Sequence, residues 1–546
     1  MRVDTIIENA RILTQDDQVP AADALAVLNG RIVAVGPDCA GVTAAHRIDA
    51  DGAVVVPGFN DAHAHSVWFG HTLLETNLAG CRGLDDLYAR VSRGVAGLGS
   101  GEWLIASGYN QMDTGGMYPD PHALDRASGG HPVWVKHTSG HSCVVSARAM
   151  DILGIDGSET FDGGSVVVDD RGRPTGLLEE TAMALVQEYH LPASQQQIVA
   201  ALDAATRAYA AEGLTSVTDA GIGGGWIGHS SQEFAAYQAA REQGMLRTRM
   251  QPMLVGDVLE DVSLSADGRG FRGLPGGLRS GLGDDRLQLG PVKMFLDGSI
   301  LGNTARMSEG YDNCPGNHGY FQGDVDEMRQ RAIDAGRAGW ALAMHAVGDE
   351  AVDLAVGVLA QLRDEGIAPP LPHRLEHGGV VSDPQLNALA ELGTSIVAQP
   401  YFMRVFGDGF RQYIGDARAS VSFRLASLLR RGLPVAGSSD RPVADGRPLA
   451  VMQSAVERVT AEGWIYGPDE RLTATEALRA YTVGSAAVTG WGHAKGKIAP
   501  GYLADVTVLS EDPTRVDPAR IGAIDVLATA VGGDPTYDAH GLWRDR

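Results

Sequence analysis

The sequence predicts an α/β protein built on a (β/α)8 TIM barrel, with a small β-sandwich formed by both chain termini and a large insertion after barrel strand 1. Through the middle of the 546-residue chain, apolar strand-like runs alternate with helical patterns, which is typical of a parallel α/β core. Short alternating runs separated by turn residues occupy both ends. We therefore assign residues 1–57 and 496–546 to the β-sandwich and residues 58–495 to the barrel.

The middle of the chain contains eight candidate strands, the number that a (β/α)8 barrel requires. They are Val54–Phe59, Thr215–Asp219, Thr248–Leu254, Gly290–Leu296, Ala341–His345, His373–His377, Ser395–Gln399 and Pro434–Gly437. Helical patterns between them include Ser194–Glu212, Gln232–Gly244 and Val325–Ala338. The gap between the first two strands is too long for one crossover, so residues 70–200 are predicted to be an insertion that caps the barrel mouth.

Composition narrows the class of protein. The chain carries 44 basic and 68 acidic residues, a formal charge of −24, which argues against nucleic acid or an anionic membrane as the main partner. No apolar run approaches 18 residues and the start lacks a signal-like apolar stretch, so we expect a soluble cytoplasmic protein. The four scattered cysteines argue against a disulfide framework or a thiolate zinc site.

The segment Pro57–His65, PGFNDAHAH, ends an apolar run with His63-x-His65. Residues i and i+2 of an extended strand point to the same face, so the two imidazoles project together. Such a pair is half of a divalent-metal site. The alternative is two histidines that fell near each other in a loop.

Other candidate strands also end in polar side chains, at the rim where barrel enzymes place their chemistry. Lys293 belongs to the fourth strand, His345 ends the fifth, His377 ends the sixth and Asp440 follows the eighth. Histidine nitrogen and carboxylate oxygen are ligands of zinc and similar divalent ions. For Asp440 the alternative is a helix N-cap.

Lys293 is unusual because the chain has four lysines against forty arginines. A buried lysine can lose its proton and react with carbon dioxide, which an arginine cannot do. We expect an N6-carboxylysine that bridges two metals. The alternatives are an ammonium paired with Asp297 or Asp440, and a one-metal site.

Eight motifs occur in a characteristic order: PGFNDAHAH, GLTSVTDAG, GPVKMFLDGS, YDNCPGNHG, MHAVGDEAVD, RLEHGG, GSSDRPV and GKIAPGYLADVTVL. In these the chain resembles the amidohydrolase superfamily, in its branch of long YtcJ-like hydrolases of the amidohydrolase 3 type. The resemblance implies one or two divalent ions, with zinc the first expectation and manganese, iron or nickel open. The ligands that it implies are His63, His65, His345, His377 and Asp440, with a carboxylated Lys293 as the bridge.

The implied reaction is hydrolysis of a C–N bond in a small amide, N-formyl or N-acyl compound. Asp440 would accept the water proton and pass it to the leaving amine, with His345 and His141 as further catalytic residues. Lactam or cyclic imide opening, ester cleavage and deamination stay open on the same scaffold. A catalytically silent scaffold protein is the alternative from another class, and a homodimer is a family-level expectation.

Four residues are candidates for binding the small-molecule substrate, each with a structural alternative. His141 and Glu180 fall in the insertion, where a structural hydrogen bond or an exposed helix-start carboxylate is the other interpretation. Asp297 either contacts substrate or supports the barrel mouth. Tyr401, next to Phe402, favours an apolar or aromatic substrate, although aromatic side chains are usually core.

Overall fold

The structure is a computed structural model that describes residues 2–138, 142–161, 164–225, 227–263 and 270–543. The chain forms two compact units. One contains Met1–His65 and Thr206–Arg546, and the other contains Ser66–Ala205. Within the described residues, no helix combines the length and the apolar character needed to cross a membrane.

The N-terminal part of the first unit is made of strands. In chain order they are β1 Arg2–Glu8, β2 Arg11–Leu13, β3 Ala21–Ala22, β4 Leu25–Leu28, β5 Arg31–Val35, β6 Thr43–Asp49, β7 Val54–Pro57 and β8 Phe59–Ala64. Four of them form a sheet of order β5-β4-β1-β6. β2, β3 and β7 belong to a second sheet, and β8 belongs to a third.

The prediction that Val54–Phe59 is a single strand is wrong. The chain changes sheets at Gly58, between β7 and β8. A Cβ atom on Gly58 would lie 2.2 Å from Cγ2 of Thr215, so only glycine fits where the two sheets meet. His63 therefore lies near the end of β8, one strand later than the apolar run suggests.

The second unit, taken by itself, is a mixed α/β structure. Its helices are α1 Ser66–Leu74, α2 Leu84–Gly94, α3 Pro121–Ser128, α4 Ala147–Leu153 and α5 Ala184–His190, and α6 Gln195–Ala211 continues from it into the first unit. Its strands are β9 Thr76–Asn77, β10 Leu104–Tyr109, β11 Val133–His137, β12 Ser142–Val145, β13 Gly164–Val168 and β14 Pro174–Glu180. They form one sheet of order β13-β14-β12-β11-β10-β9.

The centre of the first unit is a parallel sheet. The strands that follow α6 are β15 Leu214–Ile222, β16 Arg249–Val255, β17 Glu260–Ser263, β18 Gly270–Gly273, β19 Val292–Phe295, β20 Leu342–Ala346, β21 Arg374–His377 and β22 Ser395–Val397. Six of them join β8 in the order β22-β21-β20-β19-β16-β15-β8, with every pairing parallel. β17 and β18 form a separate hairpin.

The predicted eighth strand, Pro434–Gly437, is an extended segment without strand pairing of its own. It nevertheless lies beside β8, because the amide of Ala62 donates to the carbonyl of Gly437 at 3.0 Å. The Ser395 hydroxyl of β22 donates to the carbonyl of Pro434. The segment thus contacts both outer strands, and the sheet comes close to closing into a barrel.

Helices follow most strands of the first unit. They are α7 Glu233–Glu242, α8 Val325–Arg337, α9 Asp349–Asp364, α10 Asp383–Leu392, α11 Tyr401–Ser420, α12 Leu425–Arg430, α13 Pro448–Glu457, α14 Ala474–Arg479 and α15 Ser485–Val488. α10 illustrates the local signals: Ser382 and Gln385 form a capping box at its start, and Gly393 ends it in the left-handed conformation. The three helices predicted from the sequence correspond to α6, α7 and α8.

The C-terminal strands are β23 Val506–Leu509, β24 Val526–Val531 and β25 Asp534–Asp538. They complete a six-stranded sheet of order β25-β24-β23-β7-β2-β3, in which β7 and β23 are antiparallel. One buried core contains Ile7, Val55, Val506 and Ala528. Residues from both chain ends therefore share a hydrophobic core.

Candidate metal centre

Three predicted ligands meet at the carboxyl edge of the parallel sheet. His63, His377 and Asp440 are buried, and each offers one ligand atom that lies within 4.8 Å of the others. His345 extends the cluster, because its ring centroid lies 4.5 Å from that of His377. His65 also belongs to it, with Nε2 3.0 Å from Oδ1 of Asp440. The parallel strands thus bring together side chains up to 377 positions apart.

Lys293 lies in the same interior, on β19, and is 1% exposed. Burial lowers its pKa from 10.5 to about 8, against the opposite pull of the Glu376 and Asp440 carboxylates. Its Nζ stands 4.8 Å from the ring centroid of Phe295. An amine with this pKa is partly neutral near neutral pH, as carboxylation requires.

Two of the clustered residues have a backbone conformation that is rare outside glycine. His377 has φ 71° and Asp440 has φ 57°. The Asp440 conformation is held by its own amide, which donates to the carbonyl of His63 at 2.7 Å. Such positions are costly and persist only where surrounding contacts determine them, which is common at functional sites.

Hydrogen bonds set which ring nitrogen of three histidines carries a proton. The Nδ1 of His63 donates to the Glu376 carboxylate, and Nδ1 of His377 donates to Oε1 of Gln399 at 2.7 Å. The Nε2 of His345 donates to the carbonyl of Gly298 at 3.0 Å. In each neutral ring the other nitrogen therefore presents a lone pair.

The buried atoms fit a cation. His63 Nε2 lies 3.3 Å from Oδ1 of Asp440, and neither atom makes a hydrogen bond among the described residues. Two acceptors that face each other away from water repel unless a positive charge lies between them. Imidazole nitrogens and a carboxylate are the donor set of zinc and similar divalent ions. The residues present therefore fit the metal that the sequence predicts.

Burial shifts the pKa values of the clustered groups. It lowers the pKa of His345 to about 3, with Lys293 acting in the same direction, and it holds the pKa of His377 well below its usual range. Both rings are neutral at physiological pH. Burial alone would raise the pKa of Asp440, but His63 and His65 outweigh it and keep that pKa well below its ordinary value. Asp440 is therefore an anion.

Asp297, which the sequence predicts either to contact substrate or to support the barrel mouth, is in contact with backbone amides. Asp297 is 1% exposed, and its carboxylate accepts the backbone amides of Arg306, Val347 and Gly348 at 2.7–3.0 Å. Burial raises its pKa to about 7, although these three donors oppose the shift. These contacts are compatible with support of the barrel mouth, and the role of Asp297 toward substrate stays a prediction.

The remaining predicted residues lie in different places. Tyr401 is the first residue of α11 and is half-buried. Glu180 ends β14 of the second unit with φ 50° and is exposed. His141 lies outside the described residues. Their roles toward substrate stay predictions.

Sequence reasoning missed Glu376 and Arg374. Both are fully buried on β21, immediately before His377 and within the motif that identified it. The i, i+2 rule applied to HRLEH would have placed them on one face of the strand, opposite to that of His377. Phe295 was also missed; its ring centroid lies 5.3 Å from that of His345 and it is half-buried.

Comparison with known proteins gives consistent matches along the whole chain. The profile of the amidohydrolase family, of the amidohydrolase 3 type, matches residues 47–537. Protein LONG AFTER FAR-RED 3 of Arabidopsis thaliana is 30% identical, covering 98% of this chain and 91% of the relative. The putative amidohydrolase YtcJ of Bacillus subtilis is 29% identical, covering 90% of each chain.

Two further matches are to an enzyme and to a solved structure. The N-substituted formamide deformylase of Arthrobacter pascens is 28% identical, covering 98% of this chain and 99% of the enzyme. The crystal structure of an uncharacterized metal-dependent hydrolase from Pyrococcus furiosus is 25% identical with a TM-score of 0.75, covering 94% and 100% of the two chains. These relatives support a hydrolase with a mixed α/β fold, and the extent of the profile match shows that the chain belongs to the amidohydrolase family.

Proposed function

We propose that this protein is a metal-dependent hydrolase that uses water to cleave the C–N bond of a small amide, N-formyl or N-acyl compound. The observation that carries the proposal is the buried group of His63, His377 and Asp440, in which His63 Nε2 and Asp440 Oδ1 face each other at 3.3 Å without a hydrogen bond among the described residues. The formamide deformylase of similar length and sequence supports the choice of a C–N bond.

The chain's own residues divide the work between holding a metal and moving a proton. His63, His65, His345, His377 and Asp440 would hold one or two divalent ions, with zinc as the first choice. A bound ion lowers the pKa of water from about 15.7 towards 7 and polarises the scissile carbonyl. Glu376, Gln399 and the carbonyl of Gly298 accept hydrogen bonds from three of the imidazoles and keep them oriented.

Asp440 transfers the proton. It is ionised and 7% exposed, so it can accept one proton from the attacking water and deliver it to the leaving nitrogen. The C–O bond forms, the C–N bond breaks, and the products are a carboxylate and an amine. With an N-formyl substrate the carboxylate is formate.

Lys293 would be an N6-carboxylysine. Its neutral amine would attack carbon dioxide to form a carbamate and release one proton, and the carbamate would be a further ligand for the two ions. Mass spectrometry of the intact protein in bicarbonate buffer should show the added carbon dioxide, with about two metal ions per chain. Lys293→Arg should lack both the adduct and the second ion. A wild-type protein with one ion and no adduct would leave the one-metal alternative.

A half-exposed aromatic side chain bears on specificity. Phe295 shares the inward face of β19 with Lys293 and packs beside the ring of His345. Tyr401 adds a second aromatic residue after β22. We infer that one side of the substrate is apolar or aromatic, as in a benzyl- or alkyl-substituted formamide.

The finer architecture is part of the same proposal. The seven parallel strands and the segment Pro434–Gly437 would form a (β/α)8 barrel over residues 58–495, interrupted by an insertion over residues 70–200. Residues 1–57 and 496–546 would form a β-sandwich. The hydrogen bonds of the segment to β8 and β22 and the shared core of the two chain ends support this division.

A metal assay combined with a substrate screen tests the function. Purified protein is assayed for bound metals and then for hydrolysis of formamides, N-acyl amines, lactams, esters and aminated rings. We expect turnover of formamides or N-acyl amines that chelation abolishes and zinc restores. Activity confined to esters, lactams or deamination would overturn the C–N substrate class, and metal binding without any turnover would favour the silent scaffold.

A further inference from the structure

Glu376 and Arg374 form a buried ion pair behind His63. Both side chains are 0% exposed. The guanidinium donates through Nε to Oε1 and through Nη2 to Oε2, and Oε2 also accepts Nδ1–H of His63. A carboxylate removed from water in this way depends on both partners for its stability.

The arginine also holds the strand that carries His63. Its Nη2 donates to the carbonyl of Ala62 at 2.6 Å. β8 and β21 are not neighbours in the sheet, so the contact crosses the interior instead of following the ladder. Arg374 thus fixes the carboxylate and the backbone next to His63 at the same time.

The three histidines with defined partners differ in the charge of those partners. His377 donates to the neutral amide of Gln399, and His345 donates to a neutral backbone carbonyl. His63 donates to a carboxylate, which makes a charge-assisted hydrogen bond. An anionic acceptor raises the electron density on the opposite nitrogen and so strengthens the imidazole as a ligand.

We propose that Arg374 and Glu376 are positioning residues that hold His63 with its proton on Nδ1 and thereby set the metal affinity of the centre. The inference rests on the metal centre of the proposed function. It makes His63 the best-oriented ligand of the cluster. It also explains why an arginine and a glutamate occupy the fully buried interior beside it.

The test is zinc affinity, measured by competition with a chromogenic chelator, in Glu376→Gln. Glutamine keeps one acceptor oxygen for Nδ1–H, removes the charge and replaces the other oxygen, which accepts from Arg374, with an NH2 group. We expect zinc affinity to fall about 10- to 100-fold, with a changed cobalt(II) absorption spectrum because His63 is less firmly held. Glu470→Gln is the matched control, since Glu470 is another buried glutamate held by Arg424 and Ser427. The control should keep wild-type affinity.

Two further variants keep the test decisive. Gln399→Met removes the neutral partner of His377 and should weaken zinc binding less than Glu376→Gln does. If Glu376→Gln does not fold, Arg374→Lys retains the positive charge but loses the two-pronged contact, and zinc affinity should fall about tenfold.

The outcomes separate this inference from the proposed function. Wild-type zinc affinity and an unchanged cobalt spectrum in folded Glu376→Gln or Arg374→Lys would overturn the positioning role and leave a structural ion pair. A larger loss in Gln399→Met than in Glu376→Gln would also overturn it. A wild-type protein that binds no divalent metal would instead refute the proposed function itself.

Discussion

The parallel sheet has a buried polar cluster at each end, and the two clusters differ in how their atoms are satisfied. The carboxyl end holds the histidines and Asp440. Near the amino end, Nζ of Lys495 donates to Ser216 Oγ, which donates to Oδ1 of Asn60 at 2.8 Å. Arg249 donates to both oxygens of Asp505 at 2.7 and 2.8 Å.

The contrast shows which buried polar groups mark a site. At the amino end the charged groups meet opposite charges or hydrogen-bond partners, as buried polar groups do in ordinary cores. At the carboxyl end His63 Nε2 and Asp440 Oδ1 face each other as two acceptors without hydrogen bonds among the described residues. Both clusters are buried, so it is the pair of acceptors without hydrogen bonds that indicates a ligand.

The largest expected effect follows from Asp440→Asn. The amide keeps one ligand oxygen but accepts no proton, so kcat/KM should fall about 10²- to 10⁴-fold while metal remains bound. Initial rates on the substrate found in the screen, with metal content measured in parallel, check this. Full activity in the variant would remove Asp440 from the mechanism.

The next largest effect is expected from a change in the hydrogen-bonded cluster near the amino end of the parallel sheet. Asp505→Asn removes the buried counter-charge of the Arg249 guanidinium and leaves it only the more exposed Asp285, whose Oδ1 lies 3.4 Å from Nη1. This loss should cost about 3–5 kcal/mol in the free energy of unfolding. Chemical denaturation of both proteins measures the difference. Metal content should equal that of the wild type, and a loss of metal would mean that the two ends are not independent.

Removing the metal should also lower the stability of the protein. The loss should come only from the histidine and Asp440 cluster at the carboxyl end of the parallel sheet. A cation that binds the folded state at 100 times its Kd stabilises that state by about 2.7 kcal/mol. Chelation should therefore lower the Tm of the wild type and of Asp505→Asn by a similar amount. A wild-type Tm that is the same with chelator and with added zinc would contradict a cation at this cluster.

The smallest effect concerns pH. Burial lowers the pKa of Lys495 from 10.5 to about 7, with Arg249 lowering it and Asp505 opposing. Between those values the unfolded chain binds a proton that the folded protein lacks, so stability rises with pH.

Lys495→Met removes this dependence because methionine does not titrate. At pH 8 the variant should be more stable by about 1–3 kcal/mol, after allowing for the lost hydrogen bond to Ser216. Denaturation curves from pH 7 to 10 test this. An equal rise in stability with pH in both proteins would show that Lys495 does not cause it.

The ligand residues could be predicted because parallel strands place distant sequence positions at one edge. His63, His345 and His377 each stand at or near the end of an apolar run, so the strand pattern and the motif order led to them. Glu376 escaped notice because a glutamate within a short buried strand has no pattern of its own. Its importance depends on Arg374 and on a histidine more than three hundred positions earlier.

Other features depend on three-dimensional packing that the local sequence does not encode. Gly58 divides an apolar run between two sheets because of the closeness of Thr215. The sequence of Pro434–Gly437 predicts a strand, yet the segment makes a hydrogen bond to β8 without forming a regular β-ladder. Lys495 precedes a glycine in a polar turn, and only the fold shows that it is 4% exposed.

The pairing of β7 with β23 bears on biosynthesis. Val54 lies opposite Leu509, so the partner of β7 leaves the ribosome about 450 residues later. Since Gly58 alone separates β7 from β8, which carries His63, this edge of the parallel sheet is completed only when translation is nearly finished. Nascent chains are therefore expected to need chaperone protection, and variants shortened at the C-terminus should be recovered as aggregates.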